Sequence, residues 1–246
     1  MPYESHPYLQ TPETDSQPIW RYVTLPKLVL MLLDGALWFS RVDMLADFFE
    51  GSYSAVTRPF AEEVKAKLGE TGIKRLETEM RDINRRAPGA VFVSSWSMSA
   101  VESALLWRAY AGKAGLAIRS TSGRLKQSFD VSDEKVHIAM MQYVDYKKEW
   151  IPKGNILRGP THKRVFYSAE QELRALVVRP EYLVPQKSEQ APRGINVTVN
   201  LGILIEAVVL APFGPAHTEN AVRRLLERLN LHFDVRRSQM EGFPTY

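Results

Sequence analysis

The chain has 246 residues, 45% of them hydrophobic and 24% charged, which can bury a sizeable core and lies far from disordered or collagen-like compositions. It has no cysteine, which excludes a disulfide framework, a thiolate metal site and a cysteine nucleophile and fits a reducing, cytoplasmic setting. A formal net charge of +4 favours nucleotides or nucleic acid modestly, while the longest aliphatic run, 28–33, is far short of the roughly 20 residues of a bilayer span, so no membrane partner is expected.

Residues 1–18 are polar and proline-containing, with no charged segment leading into an apolar stretch as in a secretion signal. They read as a flexible N-terminal arm, with residues 19–246 as a single domain. That domain opens on a strand at 19–23 (IWRYV) and a helix with Thr24 as N-cap, Pro26 in the first turn and Gly35 as the stop. A strand at 36–40 follows. The stretch 41–60 is irregular and carries Asp43, Asp47 and Glu50 among aromatics, as in a loop laid over the body.

Residues 60–86 are charged, with apolar residues at helical spacing interrupted at Gly69 and Gly72, which predicts two surface helices. After Pro88 and Gly89 the pattern changes to a strand, AVFVSSWS. Ser99 and Glu102 then form a capping box ahead of a helix that Gly112 and Gly115 close.

Strands are predicted at 116–120 and 136–146, followed by a basic stretch from Lys147 to Arg164 with Gly and Pro breaks, a mobile loop with a positive surface that could meet nucleic acid. LRALVV at 173–178 is a strand, and 195–200 is extended. The last third forms a unit of buried strand (203–212), amphipathic helix (218–230) and closing strand (232–238), whose order implies a right-handed crossover between parallel strands. The whole reads as α+β: a mixed central sheet with flanking helices and a C-terminal β-α-β unit.

No P-loop, dinucleotide-binding glycine motif, HExxH or GxSxG is present. The histidines at 6, 137, 162, 217 and 232 are scattered, so each reads as structural or solvated, and no metal is expected. What stands out is a set of polar residues on or beside apolar strands. Arg21 sits in IWRYV, Ser94, Ser95 and Ser97 end VFVSSWS, and Glu170 and Glu172 precede LRALVV. They can converge on one cleft if their strands are neighbours.

This arginine, serine-x-serine and Glu-x-Glu succession resembles that of the mono-ADP-ribosyltransferases, with Trp96 where that family has threonine. The resemblance implies an ADP-ribosyltransferase-like fold with NAD as substrate. Arg21 would anchor the phosphates, Ser95 and Ser97 would order the cleft, Glu172 would bind the nicotinamide ribose, and Glu170 would be the acid on the acceptor side. A carboxylate there would stabilise the positive charge that develops on the ribose as nicotinamide leaves. Trp107 and Tyr110 are candidates to stack on a base, and aromatics beside strands equally serve a core.

A broader resemblance, over about residues 19–240, is to the bacterial and phage family catalogued as domain of unknown function 2971. It is carried by Arg21, Ser40, Asp47, Glu50, Trp96, Ser97, Trp107, Tyr110, Tyr146, Lys163, Glu172 and Arg174. The transferase reading implies a nucleotide partner, a macromolecular or small acceptor, and a setting as toxin or anti-phage effector.

Three other readings stay open. In one, Arg21 pairs with an acid, the serines satisfy strand ends and the glutamates face solvent. In another, Asp43, Asp47 and Glu50 hold a divalent metal for a nuclease or phosphoesterase. In a third, the β-α-β unit and its basic helix dock a protein partner without catalysis.

Overall fold

The computed structural model describes residues 2–56 and 61–242. Its strands are β1 (Pro18–Val23), β2 (Ala36–Arg41), β3 (Val91–Ser97), β4 (Leu116–Thr121), β5 (His137–Met140), β6 (Gln142–Val144), β7 (His162–Arg164), β8 (Glu172–Val178), β9 (Gly194–Thr198), β10 (Ala207–Leu210) and β11 (Asp234–Arg237). The helices are α1 (Leu25–Asp34), α2 (Glu62–Ala90), α3 (Ala104–Leu106, running on as a π turn over Trp107–Ala111), α4 (Ser122–Ser128), α5 (Pro185–Ser188), α6 (Leu201–Leu204) and α7 (Ala216–Arg228).

The α+β expectation is borne out. Nine strands make one sheet in the order β11-β10-β4-β1-β3-β2-β9, with β8 joined to β3 and β5 to β8. Its pairings are antiparallel except that of β10 with β11, which flank α7 as the C-terminal β-α-β unit. β6 and β7 form a separate parallel pair. The main core gathers Ile19, Phe39, Phe92, Trp96, Ile118 and Leu173 from the sheet with Leu28 and Leu32 of α1, while a smaller cluster holds Trp20, Tyr22 and Trp107. Among the described residues no helix is long and apolar enough to cross a membrane.

One feature of the sheet decides where a ligand could sit. β8 covers one whole edge of β3, from Val91 opposite Val178 to Ser97 opposite Glu172. The other edge is shared: β2 pairs with Phe92 and Val93, and β1 touches only at Trp20 opposite Ser97. Between those contacts β1 and β2 part, and the backbone of β3 between Val93 and Ser97 is left facing a gap.

Several local expectations are refined. Gly35 ends α1 in the left-handed region (φ 59°) and its N–H reaches Met31 O. α2 is two helices across a break, but only Gly69 (φ 65°, ψ 175°) makes it, while Gly72 stays helical and the second helix continues through Pro88 to Ala90. Phe60, where the first helix was expected to start, and the rest of 57–60 lie outside the described residues. The stretch 136–146 is two strands, because after β5 leaves β8 the chain turns at Met141 to pair β6 with β7.

The capping box at Ser99 and Glu102 does not form. Ser99 Oγ accepts the Val101 N–H in a local turn, and the cap of α3 is Ser103, whose Oγ accepts from Leu106 N. Glu102 has partners that a first-turn position could not offer: it accepts from Trp107 Nε1 at 3.0 Å and from the Gln239 N–H at 2.9 Å, tying down the C-terminal segment.

The segment expected as a free arm is packed instead. Pro2 O accepts from Val136 N, Val136 O from Glu4 N, and Gln10 O from Met140 N, so the chain runs along the sheet end at β5. Tyr3 packs on the main core, and Asp15 pairs with Lys126 of α4 at 2.6 Å. The basic stretch is likewise anchored: Ile151 and Leu157 are buried, and Tyr53 donates to Asn155 O.

Candidate active site

The gap beside β3 is occupied by Arg21. Strand alternation turns Arg21 out of phase with its neighbours Trp20 and Tyr22, which pack with Trp107 in the smaller core cluster. Its guanidinium donates to Ser94 Oγ and, at 3.1 Å, to the carbonyl of Trp38 on β2, and it lies 5.7 Å over the Trp96 ring. All of these partners are neutral. Among the described residues no carboxylate pairs with Arg21, so the reading that matched it with an acid finds no such acid. Burial pulls its pKa down to about 10, so it remains a cation at neutral pH.

Arg21 opens onto a cleft of about 320 Å³ whose lining includes Lys27, Ser95, Ser97, Tyr110, Glu170 and Glu172. The parting of β1 from β3 is what lets residues of both strands reach the same space. Of the residues singled out in the sequence, Arg21, Ser95, Ser97, Tyr110, Glu170 and Glu172 line it, but from two sides: the register sets Arg21 on the sheet face of Ser94 and Trp96 and sets Ser95, Ser97 and Glu172 on the face of Trp20, so Arg21 borders the cleft only through the gap between β1 and β2. Trp107 does not line it. It is 3% exposed, stacks edge-on with Tyr22 at 5.0 Å between ring centres and spends its N–H on Glu102. Its place is in the packing beneath the cleft, because the π turn that presents Tyr110 outward turns Trp107 in.

The far wall of the cleft is a buried charge network. Arg174 donates to Glu172 Oε1 at 2.6 Å and also pairs with Glu50. Lys163 Nζ lies 2.7 Å from Glu170, 3.2 Å from Glu172 and 3.2 Å from Glu50. Tyr110 OH donates to Glu170 Oε1 at 2.9 Å, and Tyr143 OH accepts the backbone N–H of Glu172 at 2.8 Å. Two cations thus face three carboxylates, a net of one negative charge.

Burial alone would raise the pKa of Glu172, but the charges of Arg174 and then Lys163, with hydrogen bonds from Arg174 and Ser95, hold it down to about 2. Lys163 is moved the opposite way from what its burial would do: Glu172 and Glu50 push it above the usual lysine range. Burial and the neighbouring Glu170 raise the Tyr110 phenol, so it stays protonated as a donor. The cleft is therefore bipolar, with Arg21 and exposed Lys27, cations without a carboxylate partner among the described residues, in one part of its lining and Glu170 with the ionised Glu172 in another.

The acids of the 41–60 stretch are not assembled as a metal site. Asp43 pairs with Arg41 at 2.6 Å, Asp47 with Arg164 at 2.8 Å, and Glu50 with Arg174 and Lys163. Each carboxylate answers a different cation, and among the described residues no three potential ligands gather round one point. The same pairs consume the C-terminal end of the basic stretch, since Lys163 and Arg164 are both turned onto acids and not toward a nucleic-acid backbone.

Lys163, Arg174, Glu50 and Tyr143 have no place in the arginine, serine and Glu-x-Glu pattern. A signal for one of them was there: Arg174 alternates with Glu172 in an otherwise apolar strand, so both point to one face, and charges in a strand buried on both sides need partners.

No protein-family model matches the chain. No curated protein matches it either. Among solved structures, that of DarT from Thermus sp. 2.9 in complex with carba-NAD+ is similar to this chain at 9% identity and a TM-score of 0.38, over 93% of this chain and 97% of that one.

Proposed function

We propose that this cleft binds NAD and transfers its ADP-ribosyl group to an acceptor. The observation that carries the proposal is the bipolar lining: Arg21, a desolvated cation without a carboxylate partner among the described residues, lines one cleft with Glu172, a carboxylate held ionised far below its ordinary range. A dinucleotide presents the matching charges, a dianionic pyrophosphate and a ribose that becomes cationic in the transition state.

In this reading Arg21 binds the pyrophosphate through its planar fork, with Lys27 as a second positive charge. The bond between ribose C1′ and the nicotinamide nitrogen breaks. Its electron pair leaves with nicotinamide and neutralises that ring, while C1′ gains oxocarbenium character. Glu172 stabilises the charge on the ribose without having to move, because Arg174 and Tyr143 fix its side chain and backbone. An acceptor lone pair then forms the new bond to C1′, and the acceptor proton is taken up by Glu170, which with Tyr110 lies on the open side of the cleft. Ser95 supports Glu172, and Ser97 lines the cleft.

Titration with NAD, followed by tryptophan fluorescence and by release of free nicotinamide, tests the reading. Saturable quenching with slow nicotinamide release supports it. Absence of both, in protein shown to be folded, ends it.

A further inference from the structure

We propose that Lys163 is a positioning residue of this cleft, its ammonium bridging Glu170 and Glu172 so that both are held as oriented carboxylates. The kinetic consequence rests on the transferase reading above, whereas the electrostatic one does not.

Lys163 is the single cation common to both glutamates: among the described residues it is the one cation paired with Glu170, whereas Glu172 also has Arg174. Its side chain is 6% exposed and stands on β7, outside the main sheet that carries Glu172. Tyr143, its register partner on β6, accepts the Glu172 N–H. The two-stranded sheet therefore grips Glu172 at the carboxylate and at the backbone. The ring of Tyr167, 4.8 Å from Nζ, closes over the ammonium.

The groups that face Glu172 are Arg174 from β8, Lys163 from β7, Tyr143 from β6, Ser95 from β3, Glu50 from the segment after β2, and Glu170 with Tyr110 from the open side. With Lys163 gone, Glu170 would lose the one cation paired with it among the described residues, and Glu50 and Glu172 would share Arg174 alone. Like charges in so small a space favour protonation of one of them. A lysine suits the task because its three N–H bonds rotate to meet three oxygens in different directions, which the flat fork of arginine does not allow.

The experiment compares wild type, Lys163→Met and Lys163→Arg by two readouts: ¹³C titration of the glutamate carboxylates, and the kinetics of nicotinamide release from NAD. In Lys163→Met a carboxylate midpoint in this cluster should rise by about one pH unit or more. Its kcat should fall on the order of 100-fold with KM changed less than about 3-fold, because the Arg21 side is untouched. Lys163→Arg should keep the low midpoint and recover part of kcat.

An unmoved midpoint in folded Lys163→Met overturns the proposal, as does a rise in KM that matches the fall in kcat. Should Lys163→Met not fold, Lys163→Arg decides, since full wild-type kcat there shows that position does not matter. A wild type that releases no nicotinamide sinks the transferase reading alone. The bridge is then judged on the wild-type spectra, in which a protonated Glu170 or Glu172 at pH 6 overturns it.

Discussion

The carbonyl of Trp38 on β2 accepts from Arg21 Nη2 on β1 across 3.1 Å, at the place where those strands part over β3. An arginine used this way closes the gap in the sheet and keeps its charge available, since neutral oxygens hydrogen-bond it without cancelling it.

Arg21→Ala should therefore weaken NAD binding by about 10–100-fold, the worth of a charge-assisted contact. The fold should lose little, because no ion pair is broken and a desolvated charge is removed. Calorimetric titration with NAD, beside a thermal melt, checks both halves. An unchanged Kd would place the pyrophosphate elsewhere.

Glu172 links the network to pH. Its pKa is about 2 in the folded protein against an ordinary 4.5, so the stabilisation it brings is fully present above 4.5 and is lost as pH falls toward 2. The melting temperature of wild type should drop through that window more steeply than that of Glu172→Gln, which cannot titrate. At neutral pH Glu172→Gln should itself be less stable by about 3 kcal/mol, since Arg174 loses its 2.6 Å ion pair and Lys163 one of its carboxylate partners. Equal acid slopes for the two proteins would contradict this.

Trp107→Ala should cost roughly 3 kcal/mol of stability through the cavity beside Tyr22 and the hydrogen bond lost to Glu102, while NAD affinity per folded molecule stays the same. Ser103→Ala should cost about 1 kcal/mol as the true cap of α3, and Ser99→Ala less. Denaturant melts of the three variants give the ranking.

Deleting residues 1–17 should lower stability by about 2–4 kcal/mol, the combined worth of the backbone bonds to Val136 and Met140. Differential scanning calorimetry of the shortened chain would show it, and a melting temperature equal to that of the full chain would mean these contacts contribute nothing.

Periodicity and punctuation were enough to read α1 with its Gly35 stop, the break at Gly69 and the parallel β10-α7-β11 unit, since each is decided by contacts or dihedrals within a short window. Arg21, Ser97 and Glu172 could be named from their residue types and their places at strand ends. That they line one cleft was another matter. It depends on β3 having β8 on one edge and a divided second edge, an ordering of strands that no local pattern encodes. The same limit explains the misplacements. Trp107 and Tyr110 are three residues apart on one short helical segment, yet a π turn sends one into the core and the other to the cleft. The polar segment 1–18 looked detached because its partners are backbone groups at β5, and backbone hydrogen bonds leave no trace in side-chain pattern. Lys163 read as a basic residue of a loop and as one position of a family resemblance, without a partner; Glu50, far away in the chain, and the pair Glu170 and Glu172 make it a buried hub, because charge pairing in a low-dielectric interior is set by distance in space and not by spacing along the chain.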